Sequence, residues 1–367
     1  MSTAQAEDPR PAAASPAQRW IGRAMLVAGI VLFIVMLHDS DLPGAGKILA
    51  ATGPILLLGA FPYLVQIALD SLAWRTLLEA LGRRVRWRRL IAIRLSTEAV
   101  LMSVPAGTFV GETLKPYLLA KTDGVPASDT LATIGVKKAL LTFAEAVYLS
   151  TALVVGWSLL SNDSVRIMGR GGLPYLVCGA VVLLLVVAAF LSMAFLGGRT
   201  GDLLHRALRR LPSHRFRAWI ESKRAGFEAT DSAFVRLRNA PRRVRVVSFV
   251  MLLGAWFTET AETWVLLSLL DIHLPITDVL VMEAIVVFMR NLAFFVPAGL
   301  GVQDAGYIAF LHAFAIPNAA AAAAAFVIVK RLKELLWVAI GYGSLFFLTT
   351  RVRPPGTTVL VTTTEPA

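Results

Sequence analysis

The chain has 367 residues, 56% of them hydrophobic, and its mean hydropathy is +0.67. Apolar runs long enough to cross about 30 Å of hydrocarbon, at about 1.5 Å per helical residue, predict an integral membrane protein and exclude an ordinary soluble domain. The net charge of +12 does not indicate a nucleic-acid partner, because Lys and Arg lie between the apolar runs and not in a basic soluble domain.

The apolar runs predict an all-α, multi-pass membrane protein with about six transmembrane helices. A polar tail, residues 1–19, precedes the first helix, which we expect to be retained and not cleaved as a secretory signal. The predicted full spans are residues 20–38, 52–72, 128–160, 173–196, 246–270 and 318–350. The membrane domain therefore covers residues 20–350, and a second tail covers residues 351–367.

Two further apolar stretches, residues 90–121 and 279–315, are each interrupted near the middle by Val-Pro-Ala-Gly. Proline breaks the helical hydrogen-bond ladder and glycine frees the backbone, so each stretch is predicted to be a re-entrant hairpin that enters and leaves the bilayer on one side. The lone cysteine, Cys178, lies in an apolar span and can form neither an intramolecular disulfide nor a cysteine-based metal site.

The charges of the loops predict the orientation of the chain. The segment GRRVRWRRL (82–90) is basic, and residues 199–245 contain thirteen Lys and Arg against four Asp and Glu. Both should be cytoplasmic, whereas HDSDLPGAG and DIHLPITD are acidic and should lie outside. With both interrupted stretches as hairpins, every loop falls on its expected side and both termini are cytoplasmic. Residues 197–245 are then expected to be a solvated basic connector that can rest on anionic lipid.

The chain resembles itself at an offset of 192 residues. VPAGTFVGE (104–112) aligns with VPAGLGVQD (296–304), and the same offset matches Glu112 with Asp304, Lys138 with Lys330, and Asp70 with Glu262. The repeat halves are residues 20–160 and 173–350. Because each half contains three full crossings, the second begins on the opposite side, and the repeat is predicted to be inverted.

Paired Pro- and Gly-interrupted segments in two inverted halves are typical of a transporter site near the bilayer midplane. A half-helix beginning at each break would present free backbone N–H groups, which suit a phosphate or carboxylate. Breaks that merely accommodate packing are the alternative. The break residues that become candidate binding residues are Pro105, Gly107, Pro297 and Gly299.

Ionisable groups within the apolar segments are unusually numerous, and such groups are costly in hydrocarbon unless paired or hydrated. They line a polar path if functional, or form interhelical ion pairs if structural. Glu112 and Asp304 lie near the starts of the return helices, where capping competes with substrate contact. The candidates taken from these charges are Glu98, Lys138, Arg290, Lys330 and Arg331.

Arg290 is singled out because a guanidinium can grip a phosphate with two hydrogen bonds and cannot lose its charge. The 192-residue offset sets it against Glu98. An unpaired arginine in a membrane is costly, so we expect Arg290 to be paired at rest, with Glu283, Asp304 or Glu98.

The motifs VPAGLGVQDAGY (296–307), VPAGTFVGETLKPYLL (104–119) and KRLKELLW (330–337) resemble the membrane region of lysylphosphatidylglycerol synthases, a flippase-like family that also occurs as stand-alone proteins. The resemblance covers residues 22–350. It implies a lipid translocator that moves a phospholipid or a related amphiphile between leaflets. Two features depart from the family: we expect no aminoacyl-transferase domain after the last span, and Thr108 and Phe109 stand where relatives are often glycine-rich. By motif match it implies a working centre at Gly111, Glu112, Lys115, Pro297, Gly299, Gly301 and Asp304.

The leading hypothesis is therefore a non-enzymatic translocator in a bacterial-type plasma (inner) membrane, with membrane lipids bearing anionic head groups as its partners. It needs no cofactor and no metal, and a homo-oligomer is possible. Two alternatives stay open: a small-solute or ion transporter with the same plan, and an enzyme acting on a lipid-linked substrate. No HExxH, GxSxG or P-loop pattern occurs in the sequence.

Overall fold

The computed structural model describes residues 41–104, 107–197, 200–209, 221–294 and 296–350, and the regular elements within these ranges are helical. The predicted first span, residues 20–38, and the two terminal tails lie outside the described residues. The all-α prediction is confirmed.

The first half of the described chain forms seven α-helices and one 3-10 helix. They are α1 (Leu42–Thr52), a 3-10 segment (Gly53–Ala60), α2 (Phe61–Ala80), α3 (Trp87–Ser103), α4 (Gly107–Asp123), α5 (Ala127–Val155), α6 (Trp157–Asn162) and α7 (Ser164–Met168).

The second half repeats a similar order and adds two connector helices. Its elements are α8 (Leu173–Leu196), α9 (Thr200–Arg209), α10 (Arg224–Asn239), α11 (Arg242–Leu269), α12 (Ile276–Leu292), a 3-10 turn (Pro297–Gly299), α13 (Val302–Ala313) and α14 (Ala319–Thr350).

Four helical stretches of the described chain are long and apolar enough to cross a membrane: Leu42–Ala80, Ala127–Val155, Leu173–Leu196 and Arg242–Leu269. The second predicted span was placed too short, because its helix continues from residue 72 to Ala80. The helix of the third predicted span ends at Val155, before the predicted end at residue 160. The next residue, Gly156, packs so closely on Val281 that a Cβ added to this glycine would be 2.1 Å from the valine side chain. Helix α14 is long, but Lys330 to Glu334 interrupt its apolar character.

Several helices begin directly after a proline. Pro126, Pro241 and Pro275 precede α5, α11 and α12. Proline has no backbone N–H, which a residue in a helix interior needs for its hydrogen bond but a residue at the helix start does not. Proline is therefore favourable at the start of a helix and ends the element before it. These short proline-marked turns reverse the chain.

The first interrupted stretch folds as a helical hairpin. Arg89, at the start of α3, donates to the backbone oxygen of Thr122 at 3.2 Å and lies 3.7 Å from Asp123, both at the end of α4. Nearer the break, Gly111 packs against Thr97, whose backbone oxygen would lie 2.9 Å from an added Cβ. The two ends of the segment therefore lie side by side.

The second interrupted stretch makes the same kind of turn. Gly306 of α13 packs on Val286 of α12, and the Tyr307 hydroxyl donates to the Glu283 carboxylate at 2.9 and 3.0 Å. These contacts join residues at similar distances before and after the break. Helix α13 consequently runs back along α12.

The two halves are joined by the packing of α2 against α11, which run antiparallel. At one end, Gly59 of the 3-10 segment that precedes α2 lies against Leu266 of α11. In the middle, Gln66 donates to Glu259. At the other end, Ser248 donates to the Ala73 backbone oxygen. Glycine at position 59 permits this close approach, since a Cβ there would be 2.1 Å from Leu266.

Helix α8 presents an apolar outer surface. It has the highest mean hydropathy of the candidate spans, and Leu176, Val186, Phe190 and Met193 are exposed on it. An uninterrupted aliphatic face of this kind requires an apolar solvent, which the acyl chains of a bilayer provide. Cys178 is also exposed on this helix.

Basic segments from two parts of the chain meet at Asp129, at the start of α5. Its carboxylate accepts from Arg83 at 2.7 Å and from Arg236 at 2.5 Å. Helix α10 also buries Phe234, which stacks on Phe195. The expectation of a solvated basic connector was wrong for one face of this helix, because Ala233, Phe234 and Leu237 pack onto the bundle.

Candidate functional site

A cavity of about 250 Å³ lies between the two halves. Helices α2, α3, α4 and α5 line it from the first half, and α11, α12, the second break and α14 line it from the second. Both hairpins therefore reach one central space.

Half of the sequence-predicted site residues line this cavity, and they come from both hairpins and α5. They are Glu98, Gly111, Glu112, Lys115, Lys138, Arg290 and Gly299.

Five other predicted residues lie behind the wall and are packed among protein atoms. They are Pro297, Gly301, Asp304, Lys330 and Arg331. Gly107 is the first residue of α4, and Pro105 lies outside the described residues. The structure thus places seven of the fourteen predicted residues on the cavity wall and these five behind it, and substrate binding by any of them stays a prediction.

An acid on α2 organises the first-half charges. Asp70 accepts from Lys137 of α5 at 2.5 Å and from Arg94 of α3 at 3.1 Å, and Arg94 also binds Glu98. A buried carboxylate is tolerated only when paired and hydrogen-bonded, and here two cations share it. These pairs hold three helices of the first half together.

A second ion pair lies within α4. Glu112 accepts from Lys115 one turn later at 2.8 Å. The ammonium groups of Lys115 and Lys137 lie 5.9 and 5.7 Å from the centre of the Trp74 ring, within cation–π range. Glu112 stands in the second turn of α4 and is bound to a side chain, so it does not cap that helix.

Lys138 differs from its neighbours. It is exposed, lines the cavity and makes no ion pair with any described residue. The other basic groups on the cavity wall are all paired with carboxylates: Arg94, Lys115, Lys137, Arg290 and Lys333. An ammonium without a direct ion-pair partner is the cation on this wall that is most available to an anionic ligand.

The second break is fixed by Arg331 of α14. Its guanidinium binds Asp304 through two nitrogens at 2.9 and 2.7 Å and donates to the Ala298 backbone oxygen at 3.1 Å. Asp304 also accepts from the Gly301 N–H at 2.8 Å and so caps α13. Ala298 has φ 51°, a left-handed conformation that is strained for a residue with a Cβ. The arginine clamp holds this strained turn in place.

Arg290 packs against the same break. Its side chain lies beside Gly299, whose φ is 59°, and an added Cβ there would be 2.7 Å from the arginine Cγ. Its partner is Glu259 of α11, at 2.9 Å. The expectation that Glu283, Asp304 or Glu98 pairs with Arg290 was wrong, because α11 crosses closer to the cavity and those acids have other partners. The contacts of Arg290 all use Nη1, so Nε and Nη2 stay free of described partners.

The remaining second-half charges form a buried cluster. Lys330 lies 3.4 Å from Glu262 and 3.6 Å from Glu283, and its side chain is 3% exposed. Glu283 also accepts from Thr263 at 2.5 Å and from Tyr307. Every strong donor in this cluster has an acceptor, which is the arrangement of a structural support and not of an open binding surface.

Sequence reasoning missed part of the cavity wall. Arg94 is a charge inside an apolar stretch, and that signal alone would have found it. Tyr63, Gln66 and Trp337 also line the cavity. Their types are common in helices, and only the tertiary structure, which sets the Trp337 ring of α14 beside the Tyr63 ring of α2, brings them together. No group of three or more His, Cys, Asp and Glu in the described chain is placed to hold a metal ion.

Comparison with known proteins agrees with this architecture. Residues 20–330 match the family model described as the lysylphosphatidylglycerol synthase TM region. The chain belongs to this family. It is also 23% identical over 308 residues to a UPF0104 membrane protein of Methanothermobacter thermautotrophicus, an alignment that covers 78% of this chain and 82% of that protein. The resemblance seen in the sequence motifs is confirmed, and the match includes both hairpins and the cavity-lining residues up to Gly299.

Proposed function

We propose that this family member is a lipid translocator, not an enzyme, that moves a phospholipid or a related anionic amphiphile between the leaflets of a bacterial plasma membrane. The observation that carries the proposal is the cavity that both hairpins share, with a lysine on its wall, Lys138, that has no ion pair with any described residue. Binding at the interface of two repeated halves, beside broken helices, is how many membrane transporters hold their substrates.

The size of the cavity supports a head group as the bound part. Sites for whole small molecules have volumes of roughly 300–1,000 Å³, and about 250 Å³ is enough for a phosphate ester but not for acyl chains. The chains would remain on the apolar outer surface while the head group crosses inside.

The chemistry of the wall supports an anionic head group. Lys138 offers an ammonium that forms no ion pair with a described residue, and Arg290 has two guanidinium nitrogens without described partners while Glu259 holds the third. A phosphate entering the cavity would bind Lys138 first and could then accept from Arg290 in bidentate fashion.

The inverted arrangement of the halves belongs to the same proposal. The 192-residue offset places α2 on α11, and these helices run antiparallel in the fold, as inverted repeats require. It also matches Asp70 with Glu262, and each of these acids binds a lysine from the long helix that follows a hairpin. In this proposal the first hairpin enters from the cytoplasm, the second enters from outside, and both termini are cytoplasmic.

Cysteine labelling tests that topology. On a Cys178→Ser background, single cysteines in the turn at residues 123–127 should react only with a reagent on the cytoplasmic side. Cysteines in the turn at residues 315–318 should react only from outside. Labelling of both turns from one side would contradict the inverted arrangement.

Reconstitution tests the function. Purified protein is placed in liposomes that carry fluorescent phospholipids on both leaflets, and a membrane-impermeant reductant bleaches the outer leaflet. We expect bleaching to continue beyond the outer pool only in the presence of the protein, and faster for anionic lipids. Lys138→Gln should slow it, whereas the exposed lysine outside the cavity, Lys121, serves as the control in Lys121→Gln.

Two outcomes would reject the proposal. Absence of translocation for every head group would reject lipid transport, and uptake of soluble glycerophosphate into the same vesicles without lipid movement would favour a solute transporter.

A further inference from the structure

Three residues that line the cavity each carry a buried polar atom without a hydrogen-bond partner among the described residues. The three atoms are the Tyr63 hydroxyl oxygen, the Gln66 side-chain oxygen Oε1 and the Trp337 indole nitrogen Nε1. All three atoms are shielded from solvent. Buried polar atoms without partners are rare and destabilising, so a group of three on one cavity requires an explanation.

The three residues are close together. Tyr63 and Gln66 lie one turn apart on α2, and the Tyr63 ring centre is 4.9 Å from that of Trp337 on α14. The orientation of the Gln66 amide is set by chemistry, because its nitrogen donates to the Glu259 carboxylate at 3.3 Å and a carboxylate can only accept. Its oxygen is therefore the free end.

We propose that Tyr63, Gln66 and Trp337 form a closed subsite for the uncharged, hydroxylated part of a lipid head group, next to the phosphate position at Lys138. This inference rests on the proposed function and names the head-group class. The indole N–H and the phenol can donate, and the amide oxygen can accept. A glycerol or sugar carries hydroxyl groups that both donate and accept, so it satisfies all three atoms.

Charged alternatives fit these atoms less well. A phosphate has only acceptors, and the Gln66 oxygen would repel it. A quaternary ammonium usually binds on an aromatic face, but the Lys333 ammonium already lies 5.1 Å from the centre of the Tyr63 ring. A second cation there would meet a like charge, which selects against choline.

The position of the rings couples this subsite to movement of the protein. Tyr63 belongs to the first half and Trp337 to the second, and their rings are in contact across the boundary between the halves. A shift of one half against the other separates the rings and admits the head group. The subsite is open in one conformation of the transport cycle and closed in the conformation described here.

Translocation assays test the subsite through discrimination between head groups. Liposomes carry fluorescent phosphatidylglycerol or fluorescent phosphatidylcholine, and the ratio of the two rates is measured. Tyr63→Phe removes one oxygen and keeps the ring, so we expect the ratio to fall roughly threefold to tenfold, the effect of one lost hydrogen bond. Trp337→Phe removes the N–H and should lower the ratio similarly.

Tyr175→Phe is the matched control, since this exposed tyrosine on α8 lies outside the cavity and should leave the ratio unchanged. An unchanged ratio in folded Tyr63→Phe and Trp337→Phe, together with a raised melting temperature, would overturn the inference. The three atoms would then be unsatisfied or water-bound groups without a ligand.

A binding measurement separates this inference from the proposed function. Soluble glycerophosphoglycerol should raise the melting temperature of the detergent-solubilised protein more than glycerophosphocholine, and Tyr63→Phe should abolish the difference. Such binding without lipid movement would reject the translocator and keep the subsite. Lipid movement with equal rates for both head groups and no binding difference would reject the subsite and keep the translocator.

Discussion

Lys330 and Lys138 occupy matched positions in the two halves, yet their surroundings differ. Lys330 is surrounded by α11, α12 and α13 and lies between two fully buried glutamates. Lys138 lies on the same kind of long helix after a hairpin, but it is exposed to the central cavity and has no ion pair with a described residue. The second half uses its lysine for structure, and the first half leaves its lysine available for a ligand.

The helix breaks differ in the same way. Arg331 binds Asp304 and the Ala298 backbone, so the second break is held from behind by a bidentate ion pair. Within the described part of the chain, the corresponding acid of the first half, Glu112, forms an ion pair only with Lys115 on its own helix. A clamp between helices resists movement more than a pair within one helix. We therefore expect the first hairpin to be the more mobile of the two.

The largest expected effect is on stability, from Lys330→Ala. Removing one partner of a buried ion pair leaves uncompensated buried charge and costs about 3–5 kcal/mol. Lys138→Ala is the matched control and should change the free energy of unfolding by less than about 0.5 kcal/mol. Thermal unfolding in detergent measures both, and similar losses for the two variants would remove the contrast between the halves.

The next effect concerns the backbone of the second break. Gly299→Ala places a Cβ on a residue with φ 59° and forces it against Arg290. Left-handed backbone costs an alanine about 1–2 kcal/mol, and displacement of Arg290 adds to that. We expect a lower melting temperature and slower translocation.

Gly111→Ala is the comparison for Gly299→Ala in the first half. Its added Cβ would meet a backbone oxygen of α3 at 2.9 Å, but its backbone needs no left-handed conformation. A greater loss of stability in Gly111→Ala than in Gly299→Ala would contradict our view that the second break is the strained one.

A smaller effect, on transport alone, is expected from Lys138→Gln. Loss of one charge-assisted contact should slow movement of anionic lipids about tenfold while the protein stays folded. Lys138→Arg should retain most of the rate. Translocation assays with anionic and zwitterionic lipids measure this, and an equal slowing of both would show that the lysine does not recognise charge.

The smallest effect is predicted for Arg290→Lys, which keeps the charge and the ion pair with Glu259 but loses the planar fork. We expect translocation to slow roughly threefold, consistent with one weakened hydrogen bond. The double variant Arg290→Leu with Glu259→Leu tests whether the ion pair between Arg290 and Glu259 has only a structural role. Full translocation by that variant would exclude a head-group role for Arg290.

Much of the local architecture was predictable from the sequence, since it depends on short-range physics. The fourth span matches α8 from Leu173 to Leu196, and both Val-Pro-Ala-Gly stretches interrupt helices as Pro and Gly require. The apolar runs identified the helices, but the predicted helix ends were wrong where polar residues continue a helix. Helix α2, for example, continues past the predicted end at residue 72 to Ala80. Packing against α5 and α11 stabilises that polar turn, and a hydropathy profile does not contain this information.

The charged residues of the site were also visible in the sequence, because ionisable groups in apolar segments stand out. Their partners were not. Arg290 binds Glu259, 31 residues earlier in the chain, because α11 crosses beside the second break. The same limitation applies to Lys138 and Lys330, whose equal positions in the repeat predicted equal roles. The neighbours of a lysine come from helices distant in sequence, and the tertiary structure alone decided that three helices enclose Lys330 while Lys138 faces a cavity.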